Sequence, residues 1–368
     1  MDKESINYSI ISNPLSVTYL TGLDLSHFRS PYFLVVDTNN SAKLILGNSE
    51  VLPDSPQMFE GGILQFEDYN ILSRMVAFPD YVSREAKELL RRNDVLSSGK
   101  IGMEYWHLPY VYVRSFFSNN ERSDAIVDIS PTLLDMRKIK GTDEIDYITK
   151  ATNILDFAYA ETRKSLKAGV SELLLFSRFE EAVGDYCAMH FERTSHLKGG
   201  IVSGPRTIDI GGPPTHRKIK HGDTVISDLQ TAYNGYWSDM ARTWAIETLR
   251  GSSLRKVRSV LLNALSNAEE ILKPGTIASD VYNVISKTII QAGFNSLPHH
   301  AGHGLGLCDQ EYPFLIPNSN DRLEANMVLS IEPGIYDKST GFGVRIENVY
   351  LITEGGCREI SKSSTRVS

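Results

Sequence analysis

Five residues in the second half of the sequence have the types that bind divalent metal ions. They are four carboxylates and one imidazole, in the strings SDLQTAYNGYWSD, AGHGLGL, SIEPGIY and VRIENVYLI: Asp228, Asp239, His303, Glu332 and Glu347. A hard, oxygen-rich set of this kind suits two divalent ions held by shared carboxylates better than a single structural zinc. Such a pair of ions generates a hydroxide that attacks a carbonyl, so hydrolysis is the first hypothesis.

The spacing of the two aspartates predicts that they share one face of a β-hairpin. Asn234-Gly235 lies between them and is the strongest short hairpin signal. A two-residue turn there makes Asp239 a diagonal neighbour of Asp228. Diagonal neighbours lie roughly 7–8 Å apart at the backbone, which lets two carboxylates converge on metals about 3.5–4 Å apart. For either aspartate taken alone, a solvent-facing position on the hairpin is the simpler interpretation.

The other three predicted ligands lie in different local settings. His303 stands between glycines in GHGLG, where a lone histidine is more often a turn residue than a ligand. Glu332 follows the apolar strand MVLSI. Alternation along GVRIENVYLI places Glu347, Arg345 and Val349 on one face of a strand. A charged pair in an apolar strand is also typical of an edge strand or a buried ion pair, but five such coincidences favour a shared site.

Composition and net charge limit the classes of protein to which the sequence can belong. The chain has 368 residues, which favours two domains, and its 41% hydrophobic and 23% charged content is typical of a globular protein. A net charge of −7 argues against nucleic acid or an anionic membrane as the main partner. The three cysteines form neither a disulfide framework nor a CxxC pair, and the start MDKESINYSI lacks the apolar core of a signal peptide. These features predict a cytoplasmic protein.

The elements that must position the predicted ligands divide the chain into two parts. Up to about residue 130, short strands and helices alternate, with strands predicted at SVTYLTGL, YFLVVD and AKLILG. The segment 131–141 carries Pro131 and Gly141 and is predicted to be a linker. Beyond it, helical periodicity and capping signals predict four helices. One starts at Thr142, and the other three span about 171–192, 253–272 and 277–292.

Two similar strings hint at an internal duplication of the second part. LKAG at 166–169 and LKPG at 272–275 each join a pair of helices, and each pair is followed by strands that carry predicted ligands. A match between two four-residue strings can arise by chance, but it fits a two-fold site between related halves. The predicted organisation is an N-terminal domain at 1–130, the linker at 131–141 and a catalytic domain at 142–368.

These strings closely resemble those of the pita-bread metallopeptidases, which include methionine aminopeptidase, aminopeptidase P and prolidase. The family ligands come in the order Asp, Asp, His, Glu, Glu, within motifs like D-x10-D, GHGxG, IEPG and RIE, and all are present here. NPLSVTYLTGL, MRKIKGTDEIDYITKA and RKIKHGD extend the match over nearly the whole chain. The resemblance implies an α+β fold, with a creatinase-like α/β N-terminal domain followed by a pita-bread domain of duplicated helix–helix–β halves. Methionine aminopeptidase lacks that first domain and is disfavoured.

The resemblance also implies roles for individual residues. A metal-bridging hydroxide is the expected nucleophile, with Glu332 helping to deprotonate it. His299 matches a histidine that contacts substrate, although the doubled His299-His300 leaves the assignment ambiguous and a structural loop residue is the alternative. Arg345 matches an arginine that steadies Glu347 or meets a substrate carboxylate. Two divalent ions are expected, Mn²⁺ or Co²⁺ first, with Zn²⁺ and Fe²⁺ also compatible with these ligands.

Two positions depart from the family pattern. Seven residues after His303 the family has a histidine that steadies the oxyanion or the leaving group. This chain has Gln310 there, which can donate a hydrogen bond but cannot carry a proton. A second family histidine falls at Gly211, with His216 five residues later. Asp309 is a candidate substitute base, and a solvent-facing loop residue is an equally good interpretation.

The leading hypothesis is a metal-dependent hydrolase of the prolidase or aminopeptidase P type. Its expected substrate is a short peptide whose second residue is proline, and a homodimer is the expected form. The alternative is a non-peptidase on the same scaffold, either a hydrolase of a small zwitterion or a lyase. The string CD-x-EYP loosely resembles the dimethylsulfoniopropionate lyases of this fold. A weak binding protein fits least, since a binding module needs no activated water.

Overall fold

The chain forms two compact units, Met1–Met136 and Arg137–Ser368, each with its own sheets and hydrophobic core. The computed structural model describes residues 6–23, 25, 28, 31–39, 41–50, 61–66, 87–88, 90–92, 99–108, 110–116, 126–190, 197–246, 251–339 and 341–365.

The first unit is built on a six-stranded mixed sheet. Its strands are Ile6–Ile11 (β1), Phe33–Asp37 (β2), Ala42–Gly47 (β3), Gly62–Phe66 (β4), Lys100–Met103 (β5) and Ile126–Asp128 (β6). They lie in the order β4-β3-β2-β1-β5-β6, and β2 is antiparallel to both of its neighbours while the other pairs are parallel. The strands predicted at YFLVVD and AKLILG are confirmed as β2 and β3.

Both faces of this sheet are buried. Among the described residues, Pro14–Thr21 (α1) and Tyr110–Phe116 (α2) are helices of this unit, and Ser130–Lys138 (α3) continues into the first residues of the second unit. On one face Phe33 and Val35 pack with Tyr112 of α2, and on the other Leu34 packs with Val17 of α1. A strand covered on both faces has a continuous apolar run instead of alternation, which explains FLVV in β2.

The prediction of a strand at SVTYLTGL is wrong, because these residues belong largely to helix α1. Asn13 caps the helix, since its side-chain oxygen accepts the backbone N–H of Leu15 at 3.1 Å, and Pro14 follows in the first turn. Gly22 ends the helix with a left-handed φ of 70°. The β-branched and aromatic residues of the string suggested a strand, but both helix caps and the burial of Val17 favour the helix.

The second unit contains the four predicted helices. They are Thr142–Ser165 (α4), Glu172–His190 (α5), Gly251–Glu269 (α6) and Ala278–Gln291 (α7). Thr142 is the first helical residue of α4, and the cap is Gly141, whose N–H donates to the Glu144 carboxylate at 2.7 Å. No helix in the described ranges is long and apolar enough to cross a membrane.

The turns after the two LK-x-G strings make the same hydrogen bonds. The N–H of Gly169 donates to the carbonyl of Ile219 at 2.8 Å, and that of Gly275 donates to Leu323, also at 2.8 Å. Both glycines have a φ of +90°, a left-handed conformation that favours glycine at each turn. Each acceptor lies a few residues before a strand that leads to predicted ligands, so the turns tie each helix pair to its strands. The predicted duplication is confirmed.

The strands of the second unit form three sheets. They are Leu197–Ser203 (β7), Thr224–Tyr233 (β8), Tyr236–Ala245 (β9), Gly302–Gly304 (β10), Glu311–Phe314 (β11), Val328–Ile331 (β12), Gly334–Asp337 (β13), Phe342–Arg345 (β14), Asn348–Thr353 (β15) and Gly356–Glu359 (β16). The orders are β7-β8-β9, β11-β10-β12-β15-β16 and β13-β14, and all their pairs are antiparallel.

The prediction of one continuous strand along GVRIENVYLI is wrong. The segment is divided between β14 and β15, because Arg345 still pairs with Gly334 of β13 whereas Asn348 pairs with Ile331 of β12. Glu347 lies in the two-residue gap where the chain passes from one sheet to the other. A change of pairing partner does not alter the pattern of hydrophobic residues, so alternation alone did not predict that the segment forms two strands.

A buried charge cluster joins the start of the second unit to β11. Glu311 is ion-paired with Arg137 and, at 2.8 Å, with Lys140, and all three side chains are buried. The ammonium of Lys140 also donates to the carbonyl of Arg137 at 2.7 Å. Because neither cation is exposed to water, the Glu311 carboxylate must balance them, and this fixes the beginning of β11.

We expect Glu311→Gln to destabilise the protein strongly. Removing one partner from a buried ion pair costs about 3–5 kcal/mol, because the remaining charge stays buried without compensation. Urea unfolding measures the change in free energy. The matched control is Glu161→Gln, which removes an exposed ion pair with Lys164 on α4 and should cost less than about 1 kcal/mol. Equal losses in the two variants would contradict this role of Glu311.

Candidate metal centre

Asp228 and Asp239 lie on one face of the β8–β9 hairpin, as predicted. Asn234 and Gly235 join the strands with φ angles of 48° and 81°, the left-handed conformation expected of a two-residue turn. Asp228 pairs with Ala241 and Asp239 pairs with residue 230, so the two aspartates are diagonal neighbours. The sequence therefore predicted the register of this hairpin correctly.

The other three predicted ligands belong to the five-stranded sheet. His303 is in β10, Glu332 follows the end of β12, and Glu347 precedes the start of β15. These strands are adjacent, with β12 in the middle. The backbone N–H of Glu347 donates to the carbonyl of Ala241 on β9 at 3.1 Å, which links the sheet to the hairpin. The structure thus brings the two groups of predicted ligands together.

The imidazole of His303 lies at the centre of the cluster. Its Nε2 atom is 3.6 Å from an oxygen of Asp239, 3.7 Å from Glu332 and 3.9 Å from Glu347. Its Nδ1 atom lies 3.0 Å from the carbonyl of Gly304, and since a carbonyl only accepts, we assign the ring hydrogen to Nδ1. Nε2 is then a buried lone pair with no hydrogen-bond partner among the described residues.

A divalent cation between this lone pair and the carboxylate oxygens would stabilise all of them. The buried groups Asp239, His303 and Glu347 could hold one divalent ion through oxygen and nitrogen atoms that lie within 4.8 Å of one another. Asp228 is tied to the same cluster by Gln230, whose side-chain amide lies 3.3 Å from Asp228 and 2.9 Å from Asp239. The donor set therefore fits divalent metal ions.

Burial raises the pKa of three of the four carboxylates, whereas neighbouring groups lower the pKa of the fourth, Glu332. Burial, reinforced by neighbouring carboxylates, raises the pKa of Asp239 and of Glu347 well above the usual range. Burial also raises the pKa of Asp228, in spite of its ion pair with Arg345. Glu332 differs: burial favours its neutral acid, but the hydrogen bond with His300 and the charge of Arg345 outweigh burial and lower its pKa to about 2. Bound cations would therefore stabilise the ionised forms of these carboxylates.

Several polar side chains outside the predicted ligand set support the predicted ligands. Ser330 donates to Glu347 at 2.6 Å, and Gln230 bridges the two aspartates. Nδ1 of His300 lies 2.8 Å from an oxygen of Glu332. Alternation could have found Gln230 and Ser330, since each lies two residues from a predicted ligand, whereas nothing in the sequence marks the contact of His300.

Arg345 does not contact Glu347, one of its two expected partners. It is ion-paired with Asp228, its Nε–H donates to the hydroxyl of Tyr336 at 2.7 Å, and its Nη2 donates to the carbonyl of Ile210 at 2.9 Å. Arg345 is buried and all three of its nitrogens are engaged. It therefore orients Asp228, and its predicted contact with a substrate carboxylate stays a prediction.

His299 is held in a chain of hydrogen bonds. Its Nδ1 lies 2.7 Å from the carbonyl of His300, which must accept, so Nε2 accepts from the hydroxyl of Tyr336 at 2.9 Å. Burial, with the charge of Arg345, lowers the pKa of His299 to about 4, and the ring is neutral at pH 7. The substrate contact expected of His299 requires exchange of one of these bonds and stays a prediction.

The residues that replace the family histidines lie at exposed positions. Gln310 is exposed and precedes Glu311, which pairs with Gly304 next to His303. Gly211 is also exposed, and a Cβ added there would meet no atom within 4 Å. His216 is exposed to solvent. The two altered positions therefore have room for other side chains.

Asp309 is ion-paired with Lys198, at 2.7 Å. Partial burial favours its neutral form, but the bond to Lys198 and the charge of that ammonium outweigh it and lower the pKa of Asp309. A carboxylate with a lowered pKa is a weak base. This geometry does not favour the predicted role of Asp309 as a substitute base.

Comparison with known proteins identifies the family. Residues 146–354 match the model of metallopeptidase family M24, and residues 1–139 match the creatinase/prolidase N-terminal domain. An uncharacterized peptidase of Staphylococcus haemolyticus is 30% identical over 359 residues, which cover 97% of this chain and 95% of that protein. The chain belongs to metallopeptidase family M24, and it is a metallopeptidase.

Solved structures show the same architecture. The prolidase from Pyrococcus furiosus superimposes with a TM-score of 0.81 at 26% identity, covering 99% of this chain and 98% of that one. The Xaa-Pro dipeptidase from Bacillus anthracis gives a TM-score of 0.81 at 25% identity, covering 100% and 96%. These similarities confirm the predicted fold, a creatinase-like domain followed by a pita-bread domain.

We expect Asp239→Asn to stabilise the metal-free protein while abolishing its response to metal. The substitution removes one of the repelling buried charges, so the Tm without metal should rise. Mn²⁺ should raise the Tm of the unaltered protein, because a ligand of the folded state stabilises it, and should leave the variant unchanged. Asp185→Asn, at an exposed position on α5, is the control that should alter neither value. A variant that still responds to Mn²⁺ would rule out Asp239 as a ligand.

Proposed function

We propose that the protein hydrolyses short peptides with proline in the second position, using two divalent metal ions held by Asp228, Asp239, His303, Glu332 and Glu347. The observation that carries the proposal is the convergence of three carboxylates, those of Asp239, Glu332 and Glu347, on the lone pair of His303. Similarity to a prolidase and an Xaa-Pro dipeptidase supports the choice of substrate. Divalent ions bound there would supply Lewis acidity towards a peptide carbonyl.

The protein groups around the predicted ligands divide the remaining tasks. Glu332 is ionised at neutral pH, since its pKa is lowered to about 2. Its carboxylate can accept a hydrogen bond from the attacking water, and the family resemblance implies that it helps to deprotonate that water. His299 is neutral and fixed by Tyr336, which suits a hydrogen bond to substrate more than proton transfer. The exposed amide of Gln310 donates to the developing oxyanion, in the position where the family resemblance implies a histidine.

The lyase alternative needs a protein base that abstracts a proton from the substrate. Asp309 was the candidate, and its ion pair with Lys198 lowers its basicity. The hydrolase is therefore the better supported function. From the family resemblance we further propose Mn²⁺ or Co²⁺ as the bound ions, a homodimer as the active form and a cytoplasmic location.

We expect the purified protein loaded with Mn²⁺ or Co²⁺ to release free proline from Ala-Pro or Met-Pro, or the first residue from a longer X-Pro peptide. Proline release is measured directly, with Ala-Ala as the control substrate. His303→Ala should be inactive because it lacks the central predicted ligand. If metal-loaded protein turned over none of these X-Pro peptides, the proposed function would be wrong.

We expect Gly211→His combined with Gln310→His to raise kcat for an X-Pro peptide. Each position has room for an imidazole, and a general acid contributes about 10²–10⁴-fold when it is correctly placed. Steady-state kinetics of the two single variants and the double variant measure the gain. Gly184→Ala, on α5, is the control, because a Cβ there meets no atom within 4 Å and the backbone is helical. A double variant no faster than the original would show that these positions do not limit the rate.

A further inference from the structure

Lys198 of β7 is held by an aromatic ring and a carboxylate. Its ammonium lies 4.4 Å from the centre of the Trp237 ring and 2.7 Å from an oxygen of Asp309. Trp237 is in β9, and Asp309 is in the loop between β10 and β11. The group therefore connects both edge strands of the hairpin sheet to a loop of the other sheet. We refer to Lys198, Trp237 and Asp309 as the lysine clamp.

The clamp lies on the same face of the hairpin sheet as the predicted ligands. Lys198 pairs directly with Gln230, and Gln230 pairs with Asp239. Trp237 is two residues from Asp239, so alternation puts both on one face. Within β7, β8 and β9, Lys198 is the only cationic side chain on this face, since Arg242 points to the opposite one and lies over Tyr159.

The clamp is one of two anchors that flank Gln310. On one side Asp309 is paired with Lys198, and on the other Glu311 is paired with Arg137 and Lys140. The carbonyl of Gly306, in the same loop, accepts the backbone N–H of Trp237 at 2.7 Å. Gln310 is exposed between two residues whose side chains are fixed by ion pairs. This arrangement restricts the backbone from which the Gln310 amide projects.

We propose that Lys198 is a positioning residue, which holds the Asp309-Gln310-Glu311 segment so that the Gln310 amide meets the oxyanion of the reaction. The oxyanion in this inference comes from the proposed function. The clamp itself rests on the observed geometry alone. The contacts of the Lys198 ammonium are with Asp309 and Trp237 and not with the predicted ligands, so Lys198 acts through Gln310. A misplacement of about 1 Å in such a donor can cost about 10²-fold in rate.

The first test measures the loop without using activity. We expect Lys198→Met, which keeps an apolar side chain on Trp237, to speed hydrogen exchange in the peptide that covers 305–311. Lys198→Arg keeps the charge and should restore protection. The matched control is Lys150→Met, because Lys150 on α4 also has an aspartate at 3.1 Å and an aromatic ring at 4.9 Å. Unchanged exchange in Lys198→Met would overturn the clamp.

The second test asks whether Lys198 acts through Gln310. With an X-Pro peptide, Lys198→Met should lower kcat about 10- to 100-fold with little change in KM, and Lys198→Arg should recover most of the loss. Gln310→Ala should cost about 10²-fold, and the double variant should be no slower than Gln310→Ala alone. Multiplicative losses in the double variant would overturn the proposal, because the two residues would then act independently.

The two tests separate this inference from the proposed function. If no X-Pro peptide is hydrolysed but Lys198→Met loosens the loop, the clamp stands and the proposed substrate is wrong. If X-Pro peptides are hydrolysed but Lys198→Met alters neither hydrogen exchange nor kcat, the proposed function stands and the positioning role of Lys198 is wrong.

Discussion

The repulsion between buried carboxylates is the constraint on which the second unit depends. Asp239, Glu332 and Glu347 are buried within 3.9 Å of one imidazole nitrogen, and the charge of Arg345 is directed to Asp228. Like charges at such distances are costly in a protein interior, which raises the pKa of Asp239 and Glu347. Binding of divalent cations would therefore stabilise the folded protein. The surrounding polar side chains hold the predicted ligands towards one point.

The duplicated halves explain how one chain assembles such a site. Each half ties its helix pair to its strands through the same glycine turn, and one contributes the two aspartates while the other contributes His303 and the two glutamates. The bond from Glu347 to Ala241 joins the halves. The site therefore lies where the hairpin sheet and the five-stranded sheet meet.

The features that could be predicted from the sequence are those set by residues close together in the chain. The hairpin register follows from Asn234-Gly235, the four long helices follow from periodicity, and the predicted ligands follow from their motifs. Interactions between distant segments escaped prediction, because no local rule specifies them. Neither the ion pair of Arg345 with Asp228, nor the contact of His300 with Glu332, nor the clamp on Asp309 has a signal in the hydrophobic pattern. Local propensity also failed at SVTYLTGL, where caps and burial favour a helix.

The central claim is that these carboxylates are held together to bind two metal ions. The most direct measurement is a crystal structure of the Mn²⁺-loaded protein with anomalous differences recorded at the manganese edge. The claim predicts two peaks about 3.5–4 Å apart, enclosed by Asp228, Asp239, His303, Glu332 and Glu347. A single peak, or a peak held by His299, His300 and Glu332 in place of the aspartates, would contradict it.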